Sequence, residues 1–247
     1  MTTLQPFSAA LSDDLYLLTH LHASELSRET LEQLKANHFP QGLGLCLDSD
    51  HGKTALEVMQ QVITRLPVPI PDAHLDHLAA DFADIYLNYR LRASPCESVW
   101  LDPDGLAMQQ PMFQIRDWYR RHHLVAEDWR RFSDDHLVLQ LQFIAHLLQQ
   151  AQAPQELEDL ATFLDEHLLR WLGDFSRRVA QRCASDLYAA LAMLTHSYLE
   201  ELRDLLATLL GQPRPTPEEI EARMNQHTPP LSQQIEGPYL PGTAPSW

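Results

Sequence analysis

The chain has 247 residues, of which 45% are hydrophobic, and its 34 acidic and 18 basic side chains give a formal net charge of −16. Such a charge repels nucleic acid and anionic membrane surfaces but attracts a basic peptide or a basic protein patch. No apolar run reaches transmembrane length, and no basic stretch followed by an apolar one stands at the N-terminus. We therefore expect a soluble, cytoplasmic protein with neither a nucleic-acid partner nor a stable membrane insertion.

The first half of the chain predicts short helices. Residues 1–11 show no clear pattern and are expected to be loosely ordered. Ser12 is followed by two acidic residues and is predicted to cap the first helix, and Ser27 is predicted to open the second. A third helix is predicted over 54–66, whereas the alternating prolines of 67–71 exclude a helix there.

The middle of the chain predicts three further helices. Asp72 is expected to cap a helix over 73–91, and Pro111 suits the first turn of the next one. The clearest amphipathic pattern covers 134–150, with Ser133 as the predicted N-cap.

The last helices are predicted from proline and glycine positions. Pro154 is expected to start a helix that runs through Trp171. A long apolar helix over 185–210 is predicted to end at Gly211, and a short acidic helix follows at 218–224.

No alternating strand pattern is longer than a few residues, so the sequence predicts an all-α fold, a single multi-helix bundle of about ten helices. The predicted helical domain spans 1–211. Residues 212–247 are predicted to form a Pro-rich tail with one short helix, extended over its last twenty residues or so.

Two motifs raise catalytic or metal-binding alternatives. Gly52–Thr54 resembles the end of a P-loop, but Leu47 stands where that motif needs glycine. His74 and His77 lie one turn apart and could bind a metal, although such pairs are commoner on a solvated helix face. No Glu-x-x-His or HExxH motif is present.

The three cysteines are far apart and form no CxxC motif, which argues against a disulfide framework and a structural zinc site. Cys96 could act as a nucleophile with His136, but nothing in the sequence marks it as a thiolate. We predict no catalytic residue, no metal site and no cofactor.

The segment from Ser94 to Leu137 carries the sharpest pattern. It is rich in large aromatic residues, which seldom occur in such number without a surface to bury them. These aromatic residues are Trp100, Phe113, Trp118, Tyr119, Trp129 and Phe132.

This segment resembles the TorD/DmsD/NarJ family of molybdoenzyme maturation chaperones. The resemblance lies in a proline before a Glu-Ser-Val-aromatic segment, an arginine and an aromatic residue on the next helix, and an Asp-His-hydrophobic helix start, with a second block downstream. The matching residues are Pro95, Glu97–Trp100, Arg116, Trp118, Asp135–Leu137 and Glu166–Trp171. Cys96 departs from the family, which usually has a larger or aromatic residue there.

The resemblance implies an all-helical bundle of the TorD type, either a monomer or a domain-swapped dimer. It also implies a non-enzymatic cytoplasmic chaperone that binds the twin-arginine leader and the apo form of a molybdenum-cofactor oxidoreductase. Such a chaperone assists cofactor insertion and delays export of its client. The client itself is not identified by the sequence.

The resemblance assigns leader binding to six positions: Ser98, Val99, Trp100, Trp118, Asp135 and His136. Glu97 joins them as a second carboxylate for an arginine-bearing peptide. An acidic, aromatic-lined groove would complement a leader that is basic at first and then apolar. We expect alanine at both Asp135 and His136 to weaken leader binding without unfolding the protein.

Two alternatives from other classes remain open. One is a small helical enzyme that uses Cys96 or a histidine-bound metal. The other is a generic helical adaptor, which would account for the acidity and the tail but not for the ordered blocks.

Overall fold

The computed structural model describes residues 4–126 and 131–226. These residues contain no β-strand, and the all-α prediction is confirmed. The α-helices are α1 Leu4–Ala23, α2 Arg28–Ala36, α3 Asp50–Arg65, α4 Asp72–Phe82, α5 Ser98–Leu101, α6 Gln110–Arg121, α7 Leu137–Gln150, α8 Glu158–Glu166, α9 Leu172–Arg182, α10 Asp186–Leu210 and α11 Pro217–Gln226. A π-helical turn at Ala83–Leu87 extends α4, and 3₁₀ turns at Pro154–Leu157 and Leu168–Arg170 flank α8.

Two sets of helix contacts form most of the core. Helix α1 packs along α7, and the longest helix, α10, packs against both α3 and α9. Leucines three or four residues apart line these contacts; Leu11, Leu15 and Leu18 of α1 are fully buried. Each fully buried leucine contributes roughly 1.5–3 kcal/mol relative to an exposed one. Burial of these leucine stripes, more than helix propensity, therefore stabilises the bundle.

Several predicted helix boundaries are confirmed by backbone geometry. Ser27 caps α2, since its Oγ accepts a hydrogen bond from the Thr30 N–H at 3.1 Å. Pro111 lies in the first turn of α6. Gly211 ends α10 with a φ of +64°, a conformation that costs a residue with a Cβ.

Helix α3 begins at Asp50, earlier than predicted, because Ser49 Oγ accepts from the Gly52 N–H at 3.0 Å. A Cβ at Gly52 would lie 2.9 Å from both Leu47 Cβ and Glu201 Oε1. The glycine therefore allows close packing at the start of a capped helix. This geometry is that of a helix start and agrees with the absence of the P-loop glycine at position 47.

The prediction for the N-terminal residues was wrong. Helix α1 starts at Leu4, and Ser12 lies inside it rather than at its cap. The buried Ser12 Oγ donates to the Ala145 carbonyl at 3.1 Å and so links α1 to α7. A serine that hydrogen-bonds to a packed helix has the same local sequence as a capping serine, which explains the error.

Two long predicted helices are interrupted. The helix predicted over 73–91 ends after the π-helical turn, and Tyr89 and Arg92 adopt left-handed φ values of +54° and +53°. The helix predicted over 154–171 breaks at His167, whose φ and ψ are −125° and −87°. Both interruptions depend on contacts with distant parts of the chain, which local periodicity does not report.

Residues from Pro215 onward form a separate unit from Met1–Arg214. In this second unit, α11 is the short acidic helix that the sequence predicts. Thr216 and Glu219 form a reciprocal capping box, with N···O distances of 2.8 and 3.3 Å. The predicted extended tail lies outside the described residues, and the division at residue 211 stays a prediction.

Candidate functional site

Two distant segments meet in an antiparallel arrangement at the centre of the candidate site. The Glu97 N–H donates to the Asp135 carbonyl at 3.1 Å, and the Leu137 N–H donates to the Pro95 carbonyl at 2.7 Å. Cys96 and His136 form an isolated β-bridge between these two bonds. The structure thus joins the Glu-Ser-Val-aromatic segment directly to the Asp-His-hydrophobic helix start.

Asp135 holds this junction together. Its Oδ2 accepts from the Ser98 N–H at 2.8 Å, and its Oδ1 accepts from the Ser133 hydroxyl at 2.5 Å. Its carbonyl also accepts from Gln140 Nε2 at 2.9 Å. The Asp135 side chain is fully buried. Its carboxylate therefore acts as the hydrogen-bond acceptor that orients the start of α5 relative to α7.

His136, not Ser133, caps α7. Its Nδ1 accepts from the Val138 N–H at 3.1 Å, so the helix begins at Leu137 and the predicted start at residue 134 was wrong. Its ring lies 4.6 Å from that of Phe132. Burial lowers the pKa of His136 to about 3, with smaller effects from the nearby His22 and Arg131. The imidazole is therefore neutral at physiological pH and acts as an acceptor.

This neutral histidine predicts acid destabilisation. Below about pH 6.5 an unfolded chain protonates His136, whereas the folded chain keeps it neutral down to about pH 3. The contribution of His136 to stability is therefore fully present above about pH 6.5 and is lost as the pH falls. At about pH 5 the expected loss is ~2 kcal/mol.

The measurement is urea unfolding at about pH 7 and about pH 5 for the wild type and His136→Asn. Asparagine keeps a capping acceptor but does not titrate. We expect the variant to lose ~2 kcal/mol less than the wild type over this pH interval. An equal loss in both proteins would contradict the assignment. His22, whose pKa burial also lowers to about 3, titrates in both proteins alike.

Glu97 lies on the other side of the junction, within the core. Its Oε1 is 2.8 Å from His167 Nδ1, and both side chains are buried. Its Oε2 is buried without a hydrogen-bond partner among the described residues. Burial raises the pKa of the Glu97 carboxyl, while the His167 contact opposes that rise. The pair therefore connects the Glu-Ser-Val-aromatic segment to the downstream block Glu166–Trp171, to which His167 belongs.

Trp118 and Trp100 pack against this second block. Trp118 is buried and packs edge to face against the His167 ring, with 6.4 Å between the ring centroids. Trp100 donates its indole N–H to the Ser94 carbonyl at 2.8 Å and stacks on Trp171 at 6.4 Å. Unlike Trp118, Trp100 is only partly buried.

The structure places the predicted leader-binding residues together, but mostly beneath the surface. Five of the seven side chains are buried, and the two others, Val99 and Trp100, are partly exposed. The buried ones are Glu97, Ser98, Trp118, Asp135 and His136. In this conformation they shape and support a surface instead of lining a groove. Their assignment to leader binding stays a prediction.

Cys96 does not have the environment of a nucleophile. It is buried, and burial raises the pKa of its thiol far above the ordinary value, with the Asp135 charge adding to the effect. The thiol is therefore protonated at neutral pH. The pairing of Cys96 with His136 is a backbone bridge, and His136 Nδ1 is occupied by the Val138 N–H.

A groove that the sequence did not predict lies beside the junction of the two segments. It has a volume of about 470 Å³ and lies between α1, the end of α6 and the part of α7 from Leu139 to His146. Its lining includes Tyr16, Tyr119, Val125, Phe132, Leu139 and His146. Phe132 and Tyr119 belong to the aromatic set that the sequence identified as needing a surface. Trp129, from the same set, lies outside the described residues.

The groove is directly connected to the predicted site. The Tyr119 hydroxyl donates a hydrogen bond to the Asp134 carbonyl at 2.9 Å. Arg116 Nε donates to Asp134 Oδ2 at 2.6 Å. A smaller adjoining cavity of about 280 Å³ is lined by Arg116, Tyr119 and Asp134 among others. The segment that contains Asp134, Asp135 and His136 is therefore linked to the groove lining through Tyr119.

Within residues 4–126 and 131–226, no three His, Cys, Asp or Glu side chains are grouped so as to hold a metal ion. His74 and His77 thus have no third ligand among these residues.

None of the helices in the described part of the chain is both long enough and apolar enough to cross a membrane.

Comparison with known proteins places the chain in a family. Residues 46–177 match the family described as nitrate reductase delta subunit. The chain is 30% identical over 203 residues to chaperone protein TorD of Vibrio cholerae serotype O1, covering 79% of this chain and 91% of that protein. The chain belongs to the TorD/NarJ family. The resemblance found in the sequence is confirmed.

Other TorD relatives match at similar coverage. TorD of Vibrio vulnificus is 27% identical over 214 residues, covering 81% of this chain and 99% of its own length. TorD of Aliivibrio fischeri is 27% identical over 212 residues, which is 81% of this chain and 96% of the relative. The matched family segment includes all seven predicted site residues and His167.

Proposed function

We propose that this protein is a non-catalytic, cytoplasmic chaperone of molybdoenzyme maturation. It binds the twin-arginine leader and the apo form of a molybdenum-cofactor oxidoreductase, assists cofactor insertion and delays export. The relatives are named chaperones, which supports the class. The observation that carries the finer proposal is the apolar groove of about 470 Å³, whose lining residue Tyr119 hydrogen-bonds to the Asp134 carbonyl next to Asp135 and His136.

The groove suits the apolar half of a leader. Tyr16, Leu139 and Phe132 provide apolar and aromatic surface, and Gln142 and His146 provide polar groups along the same wall. An amphipathic or apolar helix commonly binds in such a groove between helices. The basic half of the leader is drawn by the acidic field of the whole protein, whose net charge is −16.

The buried residues have a supporting role under this proposal. Asp135 and His136 position the start of α7, and Tyr119 reaches the same segment through the Asp134 carbonyl. They shape the groove without having to contact the leader. Binding must protect the leader and yet be reversible. We therefore expect a nanomolar to micromolar affinity for the leader, a binding free energy of roughly −12 to −8 kcal/mol.

The groove itself can be tested with exposed residues. Tyr16 and Val125 line it and are 41% and 80% exposed, so serine at both positions should leave the fold intact. Loss of two apolar contacts of ~0.7 kcal/mol each is expected to weaken binding of a labelled twin-arginine peptide about tenfold. Fluorescence anisotropy measures the affinity, and thermal unfolding checks stability.

Val68→Ser is the matched control, because Val68 is also an exposed valine, at 66%, but does not line the groove. Its affinity for the peptide should equal that of the wild type. If the Tyr16 and Val125 variant binds as tightly as this control, the leader does not use the groove.

The client can be identified by co-purification from the native cytoplasm followed by mass spectrometry. A molybdoenzyme precursor that still carries its leader is the expected partner. Recovery of unrelated proteins alone, together with a failure to bind twin-arginine peptides, would overturn the proposed function.

A further inference from the structure

Basic side chains gather on one surface of this acidic protein. Arg178 and Arg182 of α9 each donate from Nη1 to a loop carbonyl, those of Arg92 and Leu91, at 2.8 and 2.9 Å. These bonds hold the loop that follows the π-helical turn against α9. The arginine surface consists of Arg90, Arg92, Arg178 and Arg182, four of the 18 basic side chains in the chain.

The charges of this surface are weakly compensated. The Arg92 side chain is exposed and makes no ion pair with any described residue. Arg90 is 78% exposed, and its Nη1 lies 3.5 Å from Asp84 Oδ2. Arg178 lies over the ring of Trp100, 4.4 Å from its centroid. In a protein with a net charge of −16, such a concentration of guanidinium groups indicates a local preference for anions.

The loop also presents apolar side chains. Leu87 and Tyr89 are 62% and 45% exposed, next to Arg90 and Arg92. Tyr89 and Arg92 both have left-handed backbone conformations, which are unfavourable for residues other than glycine and persist only where the surroundings stabilise them. Exposed tyrosine and arginine beside apolar surface are typical of protein interfaces.

We propose that the arginine surface binds an acidic polypeptide segment with apolar side chains among its carboxylates. This inference rests on the proposed function, under which the segment belongs to the body of the apo molybdoenzyme. The leader is a poor candidate, because its basic half would be repelled by the arginines. Guanidinium groups bind carboxylates through paired hydrogen bonds, and arginines on an exposed loop and helix face suit an extended segment.

The test uses a labelled peptide in which glutamates alternate with leucine and tyrosine. Arg90→Gln with Arg92→Asn removes two charges, keeps the carbonyls that Arg178 and Arg182 bind, and places at position 92 a residue that tolerates positive φ. Fluorescence anisotropy should show that the peptide binds the wild type and binds the double variant about fivefold more weakly.

Arg177→Gln is the control, since Arg177 lies on the same helix but pairs with Asp174 at 2.6 Å. Its affinity for the peptide should match the wild type. A peptide with lysine in place of glutamate should not bind the arginine surface. Equal affinity of the wild type and the Arg90 and Arg92 variant would overturn the proposal. So would displacement of the peptide by inorganic phosphate at matched ionic strength, which would assign the surface to small anions.

Twin-arginine peptide binding by the same variant separates this inference from the proposed function. The variant should bind that peptide as the wild type does, because the groove residues are unchanged. If the wild type binds only the acidic peptide, the proposed leader function fails and the arginine surface stands. If it binds only the leader peptide, the arginine surface fails and the leader function stands.

Discussion

Replacing Asp135 with alanine is expected to lower the free energy of unfolding by about 3–5 kcal/mol. The substitution removes the acceptor of the Ser98 N–H and of the Ser133 hydroxyl, both of which lie at the junction of the two segments. The Ser98 N–H is left in a buried site without a partner. Urea unfolding followed by circular dichroism measures the loss.

Asp135→Asn is the matched comparison. The amide oxygen can still accept from Ser98, and the amide nitrogen can donate to the Ser133 hydroxyl, so we expect a smaller cost of about 1–2 kcal/mol. A loss below about 1 kcal/mol for Asp135→Ala would show that the network contributes little to stability.

The burial of Asp135 and His136 changes how the predicted leader-binding site should be tested. Alanine at both Asp135 and His136 was expected to weaken leader binding without unfolding the protein. The buried hydrogen bonds of both residues predict instead that such a variant is strongly destabilised. Variants of the exposed groove residues separate binding from folding, which the alanine pair does not.

Replacing Arg203 with alanine is expected to destabilise the protein by about 3–5 kcal/mol. Arg203 of α10 binds Asp165 of α8 through two hydrogen bonds, Nε to Oδ1 at 2.9 Å and Nη2 to Oδ2 at 2.7 Å. Both side chains are buried, with exposed fractions of 4% and 5%. Removal of the guanidinium leaves a carboxylate buried without its partner, which accounts for the expected size of the effect.

A double variant without either charge tests this interpretation. Arg203→Met combined with Asp165→Leu removes both charges and fills the space with apolar groups, so it should cost much less than Arg203→Ala alone. Arg203 Nη1 is buried without a hydrogen-bond partner among the described residues, a cost that the double variant also removes. A double variant as unstable as Arg203→Ala would contradict an electrostatic origin.

Arg214→Ala is the control on the same part of the bundle. Arg214 pairs with Glu200 of α10 at 2.6 Å and with Asp204 at 3.1 Å, but all three side chains are at least one-third exposed. Solvent screens both pairs, so their loss should cost within about 1 kcal/mol.

Local sequence signals were sufficient where a helix boundary depends on neighbouring residues. Ser27, Pro111 and Gly211 act through their own backbone or through groups within three residues, and all three were correctly assigned. Ser12 and Ser133 have the same residue type but hydrogen-bond elsewhere, to Ala145 and to the Asp135 side chain. A capping pattern does not distinguish these cases, because Ser12 bonds across to another helix and because His136, which forms the backbone bridge to Cys96, is the residue that caps α7.

The sequence by itself determined the all-α class, the family and the identity of the residues that meet at the junction. Apolar periodicity, capping residues and the order of three motifs are properties of the chain alone. Only the tertiary structure decided that Glu97, Asp135 and His136 are buried, and that the groove and the arginine surface lie elsewhere. The physical reason is that burial, hydrogen-bond partners and surface charge depend on residues far apart in the chain, such as Glu97 with His167 and Arg178 with Arg92.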